Sequence, residues 1–194
     1  MTINKPIIAY HTVFCAYGFW LPNDPRGSWS RYVRAENIFA VAGPATFCGQ
    51  RRSVAGRPHD RGDRQRGVAA LQYPPMVFSA EQIQAVGRGF AVACDESELI
   101  MPACAIMPNH VHIVTMRHTK SAEDVVTHLK SRASKQLARE NLRPDQTIWA
   151  AKSWPVFLHD DVEIRRSIAY VNNNPIKTGM AAQHWDFVRP YPGG

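Results

Sequence analysis

Hydrophobic and polar positions follow clear periods towards both ends of the chain and lose all period in between. Residues 7–16 (IIAYHTVFCA) are rich in β-branched and aromatic side chains, which predicts a buried strand. The segment GFWLPNDPRGSW (18–29) is punctuated by Gly18, Pro22, Asn23, Asp24, Pro25 and Gly27, and predicts a sharply turned loop. From about Arg31 to Pro75 no helical or strand period survives. Residues 51–66 hold six Arg against two Asp, with Val54 as the one large apolar side chain. That stretch is expected to be a mobile basic loop, and its length marks it as functional or disordered.

Periodicity resumes at Ser79, where SAEQ places Ser79 at the N-cap and Gln82 at N3 of a helix running to about Ser97. LIMPACAIM (99–107) predicts a strand, with Pro102 at a bulge or an edge. Pro108-Asn109 signals a turn, and HVHIVTMR (110–117) predicts a second strand of alternating character. Ser121 and Asp124 cap the next helix, whose Val125, Leu129, Ala133 and Leu137 share one face. TIWAAKSWPVFL (147–158) predicts a strand bent at Pro155. Asp160 and Glu163 cap a final helix from 161 to about 173, stopped by Pro175. A β-α-β-β-α-β core is the ferredoxin-like arrangement of the α+β class, a four-stranded antiparallel sheet with helices on one face. Residues 1–194 therefore read as one domain, with a long basic insertion at 31–75 after the first strand.

The chain of 194 residues is 45% apolar and 20% charged, enough for one sizeable core and unlike a disordered composition. The longest apolar run, Pro6 to Leu21, is broken by Tyr10, His11, Tyr17 and Gly18 and falls short of the ~18 uninterrupted apolar residues of a spanning helix. It also lacks the pattern of a secretory signal, so a cytoplasmic, nucleoid-associated protein with no membrane partner is expected. The net charge is +7, and 17 of the 23 basic residues are Arg. The planar guanidinium suits phosphate and leans towards nucleic acid, although a GC-rich coding sequence would produce the same bias. Cys15, Cys48, Cys94 and Cys104 form no Cys-x-x-Cys pair, so buried, reduced thiols are expected rather than disulfides or a zinc knuckle.

Two constellations can carry chemistry. In a strand, His110 and His112 point to one face while Val111 enters the other, so two imidazoles stand together as two-thirds of a facial metal site. The plain alternative is two unrelated histidines on a solvent-facing strand. In the last helix Tyr170 and Asn174, four residues apart, share a face. Alternatively, Tyr170 is a core aromatic and Asn172 to Asn174 are a fraying helix end.

MPNHVHIV (107–114), followed far downstream by AYVNNNP (169–175), resembles the HUH single-tyrosine transposases, and more narrowly the REP-associated tyrosine transposases and related insertion-sequence transposases. Gly-x-Trp-Leu-x-x-Asp-x-Arg-Gly at 18–27 is similar to a segment of one branch of that family. The similarity spans residues 7–29 and about 79–180, and leaves 31–75 unmatched. It implies His110 and His112 as metal ligands, Tyr170 as the nucleophile, and Asn174 where relatives offer an amide or imidazole as third ligand. Asn is shorter than Gln or His, so the third ligand stays open. Asn109, in the Pro-Asn-His turn, fits a supporting role better than ligation.

Two imidazoles, an amide oxygen and open water positions suit Mg²⁺ or Mn²⁺ better than a closed zinc site. A tyrosine phenol is a weak nucleophile until a neighbouring cation favours the phenolate. The resemblance implies a metal-dependent single-stranded DNA endonuclease and strand transferase that recognises hairpin or palindromic DNA through a 5′-phosphotyrosine intermediate. Arg26, Arg51, Arg52, Lys130 and Lys135 are candidate phosphate contacts, and Trp20 or Trp29 a candidate base-stacking platform. Core packing is the expectation for Trp149, Trp154 and Trp185. Relatives occur as monomers and as dimers that share active sites, so a homodimer is one expected state. A domesticated protein that binds palindromic repeats without cutting them is the alternative. A metal hydrolase of small molecules ranks last, because no Asp or Glu lies within eight residues of either histidine.

Overall fold

The computed structural model describes residues 5–21, 36–43, 61–191 and 193. In chain order the elements are β1 (Ala9–Ala16), α1 (Glu36–Ala42), α2 (Arg61–Ala69), α3 (Ala80–Ser97), β2 (Ala103–Ile106), β3 (His110–Met116), α4 (Ala122–Arg139), β4 (Trp149–Leu158) and α5 (Asp161–Lys177). They fall into two compact units, Met1–Cys15 with Val77–Gly194, and Ala16–Met76.

The first unit carries a four-stranded sheet in the order β2-β3-β1-β4. β3 runs antiparallel to both neighbours, with Val13 and Ala105 flanking His112. This is the expected ferredoxin-like α+β core. Strand alternation sends Phe14, Val111 and Ile113 to one face. There the Phe14 ring meets Phe90 of α3 at 6.0 Å and lies under the Lys130 ammonium of α4 at 5.6 Å. The opposite face presents Ala9, Ala103, Ala105 and Val114, which form a core with Ile164 and Val171 of α5. The two crossover helices thus share one face, and α5, lying outside the β-α-β-β-α-β core, covers the other. Three small alanines on that second face let α5 approach the sheet closely.

Local chemistry explains the helix starts. Ser79 Oγ accepts from the Gln82 amide at 3.2 Å, while Gln82 Oε1 accepts from the Ser79 amide at 2.9 Å, completing the capping box read from the sequence. Ser121 and Asp160 cap α4 and α5 through the amides of Asp124 and Glu163. The β2 strand is shorter than predicted because Pro102 has no amide hydrogen to pair, and pairing starts at Ala103. The free edge of β2 is met by the Gln183 carboxamide, which donates to the Ile106 carbonyl and accepts from the Ile106 amide, each at 2.8 Å.

Two expectations are corrected. α5 passes through Pro175 to Lys177 instead of stopping before it. Pro175 is buried, the Asn174 side-chain amide donates to the Tyr170 carbonyl at 3.0 Å, and the Thr178 backbone amide donates to the Pro175 carbonyl at 3.1 Å. Part of the stretch read as a loop is also helical: residues 61–66 open α2. Its one buried residue is Gly67, which packs against Ala42 of α1, so no apolar stripe marks the helix in the sequence, and an exposed ion pair joins Arg66 to Asp63 one turn away. In this second unit the Asn37 side-chain amide donates to the Ala70 carbonyl at 2.8 Å, and the Met76 backbone amide to the Tyr17 carbonyl at 2.8 Å. Residues 44–60, including most of the basic stretch, lie outside the described residues.

Trp149, expected in the core, packs on Phe14 and Phe78 with centroids 5.7 and 5.2 Å away, and Trp185 stacks on Phe187 at 5.9 Å. Cys94 and Cys104 are buried thiols, and burial pushes Cys94 up to about 12.

The α3–α4 contact depends on Gly89. A methyl group there would stand 2.6 Å from the Ala133 Cα and 2.8 Å from the Arg132 carbonyl oxygen, both backbone atoms that cannot rotate away. Gly89→Ala is expected to destabilise the fold by about 2 kcal/mol through overpacking, despite the higher helix propensity of Ala. Urea denaturation checks this, and an unchanged or raised midpoint would contradict the close approach.

Candidate active site

His110 opens β3 immediately after the Pro108-Asn109 turn, which is closed by the Met107 amide donating to the His110 carbonyl at 2.8 Å. His112 follows on the same face, and the two ring centroids are 4.8 Å apart. Tyr170 sits on α5 beside the buried Val171, so its backbone is anchored to the core while its side chain remains 44% exposed. Its ring meets His112 edge-on at 5.6 Å. The helix seam thus brings together the histidine pair and the tyrosine that the sequence singled out far apart in the chain.

Each histidine has a fixed neighbour. His110 Nδ1 lies 2.7 Å from the Asn109 side-chain oxygen; because that oxygen can only accept, Nδ1 carries the proton. Asn109 thus contacts the His110 ring from within its own turn. His112 Nδ1 lies 3.2 Å from Nε2 of His11, a β1 residue that the sequence reading assigned no role. His11 also meets Tyr170 edge-on at 5.6 Å. It faces Val114 across the ladder and reaches His112 on the diagonal, since Val13 occupies the position opposite His112. Its signal is therefore strand register, which motif spacing does not carry.

Burial governs the electrostatics. It lowers His11 to about 4, and burial with the neighbouring His110 and His11 rings lowers His112 to about 2. Both imidazoles are neutral at physiological pH. Lys177, carried round by the extra turn of α5, holds its ammonium 5.2 Å from the Tyr170 ring centroid, a cation–π distance. Asn174 is one helical turn from Tyr170, with its amide nitrogen turned back to the Tyr170 carbonyl. Among the described residues, no three His, Cys, Asp or Glu side chains assemble into a metal-binding group.

Lys130 and Lys135 lie on α4. Lys130 is half-buried on the opposite face of the sheet and donates to the Ala150 carbonyl at 2.7 Å, which ties it to β4. Lys135, on the same helix, is exposed. Trp20 is half-buried in the second unit. Arg26, Arg51 and Arg52 lie outside the described residues.

The family model described as "Transposase IS200 like" matches residues 66–174, more than half of the chain, and takes in the histidine pair, Tyr170 and Asn174. The chain belongs to the IS200-like transposases, a family of enzymes acting on DNA. No curated protein matches it. Among similar solved structures is a REP-associated tyrosine transposase bound to a REP hairpin, at 10% identity over 93% of this chain and 74% of that one, TM-score 0.48. Another is a Deinococcus radiodurans R1 protein described as a transposase, at 12% identity over 94% of this chain and 98% of that one, TM-score 0.43. No helix among the described residues is long and apolar enough to cross a membrane.

The neutral histidines make stability depend on pH. In the unfolded chain both rings take up protons near 6.5, whereas the folded protein resists until about 4 for His11 and about 2 for His112. Acidification therefore favours the unfolded state. Between pH 6.5 and 4, in EDTA, stability is expected to fall by roughly 1.4 kcal/mol per pH unit for each histidine. Urea denaturation across this range reads the slope, and a His112 ring titrating near 6.5 by NMR would contradict it.

Proposed function

We propose that this transposase-family protein is a metal-dependent single-stranded DNA endonuclease and strand transferase that recognises hairpin or palindromic DNA, with Tyr170 as its nucleophile. The observation that carries the reading is the convergence of His110, His112 and Tyr170 on one face of the sheet.

The donor set fits a divalent ion. His112 and His110 supply imidazole nitrogens, the second with its proton held at Nδ1 by Asn109, and burial keeps His112 neutral, as ligation requires. His110 and His112 would hold Mg²⁺ or Mn²⁺, with the Asn174 side-chain oxygen as third donor. When bound, the ion supplies Lewis-acid polarisation of a non-bridging oxygen of the scissile phosphate. Tyr170 Oη attacks the phosphorus, and the Oη–P bond forms as the P–O3′ bond breaks. The phenol proton passes to water, and the departing 3′ oxygen takes up a proton as a hydroxyl. The 5′-phosphotyrosine preserves the phosphodiester energy, so attack by a 3′-OH rejoins the strand without a nucleotide cofactor. Lys177 adds positive charge where the phosphate must approach.

A second reading, a protein that binds palindromic repeats without cutting them, draws on Asn174, whose amide is already turned to the Tyr170 carbonyl. One assay separates the two. Single-stranded oligonucleotides carrying palindromes from around the source gene are incubated with wild type and Tyr170→Phe in Mg²⁺, Mn²⁺ or EDTA. A covalent band on a denaturing gel is expected with metal only, and its loss in Tyr170→Phe should leave DNA binding intact. A specific gel shift with no covalent band in wild type would favour the non-cleaving reading. A band that persists in Tyr170→Phe would move the nucleophile to another tyrosine.

A further inference from the structure

We infer that His11 is a positioning residue that holds His112 in the one tautomer able to bind metal through Nε2. The inference rests on the reading of His112 as a metal ligand.

A neutral imidazole has one proton for two ring nitrogens, so the nitrogen that carries it cannot also offer a lone pair. The 3.2 Å approach joins His112 Nδ1 to His11 Nε2, and one of these two must donate. If His11 donated, the His112 lone pair would be used at Nδ1 and its proton would sit on Nε2, leaving nothing for an ion. If His112 Nδ1–H donates, its Nε2 keeps the lone pair and His11 is a pure acceptor at Nε2. Asn109 does for His110 what His11 does for His112: each accepts from Nδ1. The two ligands are thus set to the same tautomer by different elements, one by its own turn and the other by β1.

Geometry gives His11 a second consequence. Its ring lies 5.5 Å from His112 and 5.6 Å from Tyr170, edge-on to the phenol, so one half-buried side chain touches both the strand that carries His112 and the helix that carries Tyr170. Orientation of a ligand by a hydrogen-bonded neighbour is worth on the order of 10- to 100-fold in metal affinity. A substitution that keeps the volume of His11 but removes its acceptor isolates that contribution.

Long-range proton–nitrogen NMR of the metal-free, ¹⁵N-histidine-labelled protein reads the tautomer directly. Wild type is expected to show His112 with its proton on Nδ1, His11→Phe to lose that state, and His11→Gln to restore it by offering a side-chain carbonyl. Mn²⁺ titration followed by electron paramagnetic resonance should show affinity falling about tenfold or more in His11→Phe and recovering in His11→Gln. Wild-type His112 protonated on Nε2, or His11→Phe binding Mn²⁺ as tightly as wild type, would overturn the role of His11 alone. A wild type with the expected tautomer that binds no Mn²⁺ would instead overturn the metal reading beneath it. The wild-type spectrum needs no variant, so a poorly folded His11→Phe leaves the tautomer test in force.

Discussion

Side chains along β3 alternate between the two faces of the sheet, and each face meets different helices. Val111 and Ile113 go to the side occupied by α3 and α4, while His110, His112 and Val114 go to the side of α5. A register slip of one residue would exchange the two sets, burying imidazoles under α3 and α4 and leaving α5 to pack on aliphatic side chains. The alanines at 9, 103 and 105 belong to the same constraint, because only a shallow surface lets α5 settle with Tyr170 level with the histidines.

The polar groups on that face carry the cost of burial as neutral species. His112 is 7% exposed and has two further imidazoles for neighbours, so a charge there would be both desolvated and repelled. The metal ligation proposed for His112 requires such neutrality. Crowding that would be a liability for a surface histidine thus fits the proposed role. The exposed side chains beside the histidines, Tyr170 and Lys177, lie on the helix rather than on the sheet.

Much of this was legible in the sequence, and for identifiable reasons. The capping box at Ser79, the N-cap at Asp160, the His-x-His alternation and the four-residue spacing of the α4 core positions are local, and local geometry turns them into elements directly. Helix α2 was not legible because it turns only a glycine, Gly67, to its neighbour and so carries no apolar stripe. The run of α5 through Pro175 was not legible either, since it depends on burial of the proline ring against a core that forms only in three dimensions. His11 escaped for a third reason: its meeting with His112 is diagonal across two strands that are nearly a hundred residues apart in sequence, and no spacing rule within one segment encodes a register between two.

Tyr170, Asn174 and Lys177 ride on one continuous helix that packs on the sheet through Ile164, Ile168 and Val171. The three share one rigid backbone. A small tilt of α5 on the sheet would swing the phenol, the amide and the ammonium together, at arm's length from the fixed imidazoles. Alignment of the three side chains then becomes a property of how one rod lies in its groove, and not of three separate rotamer choices.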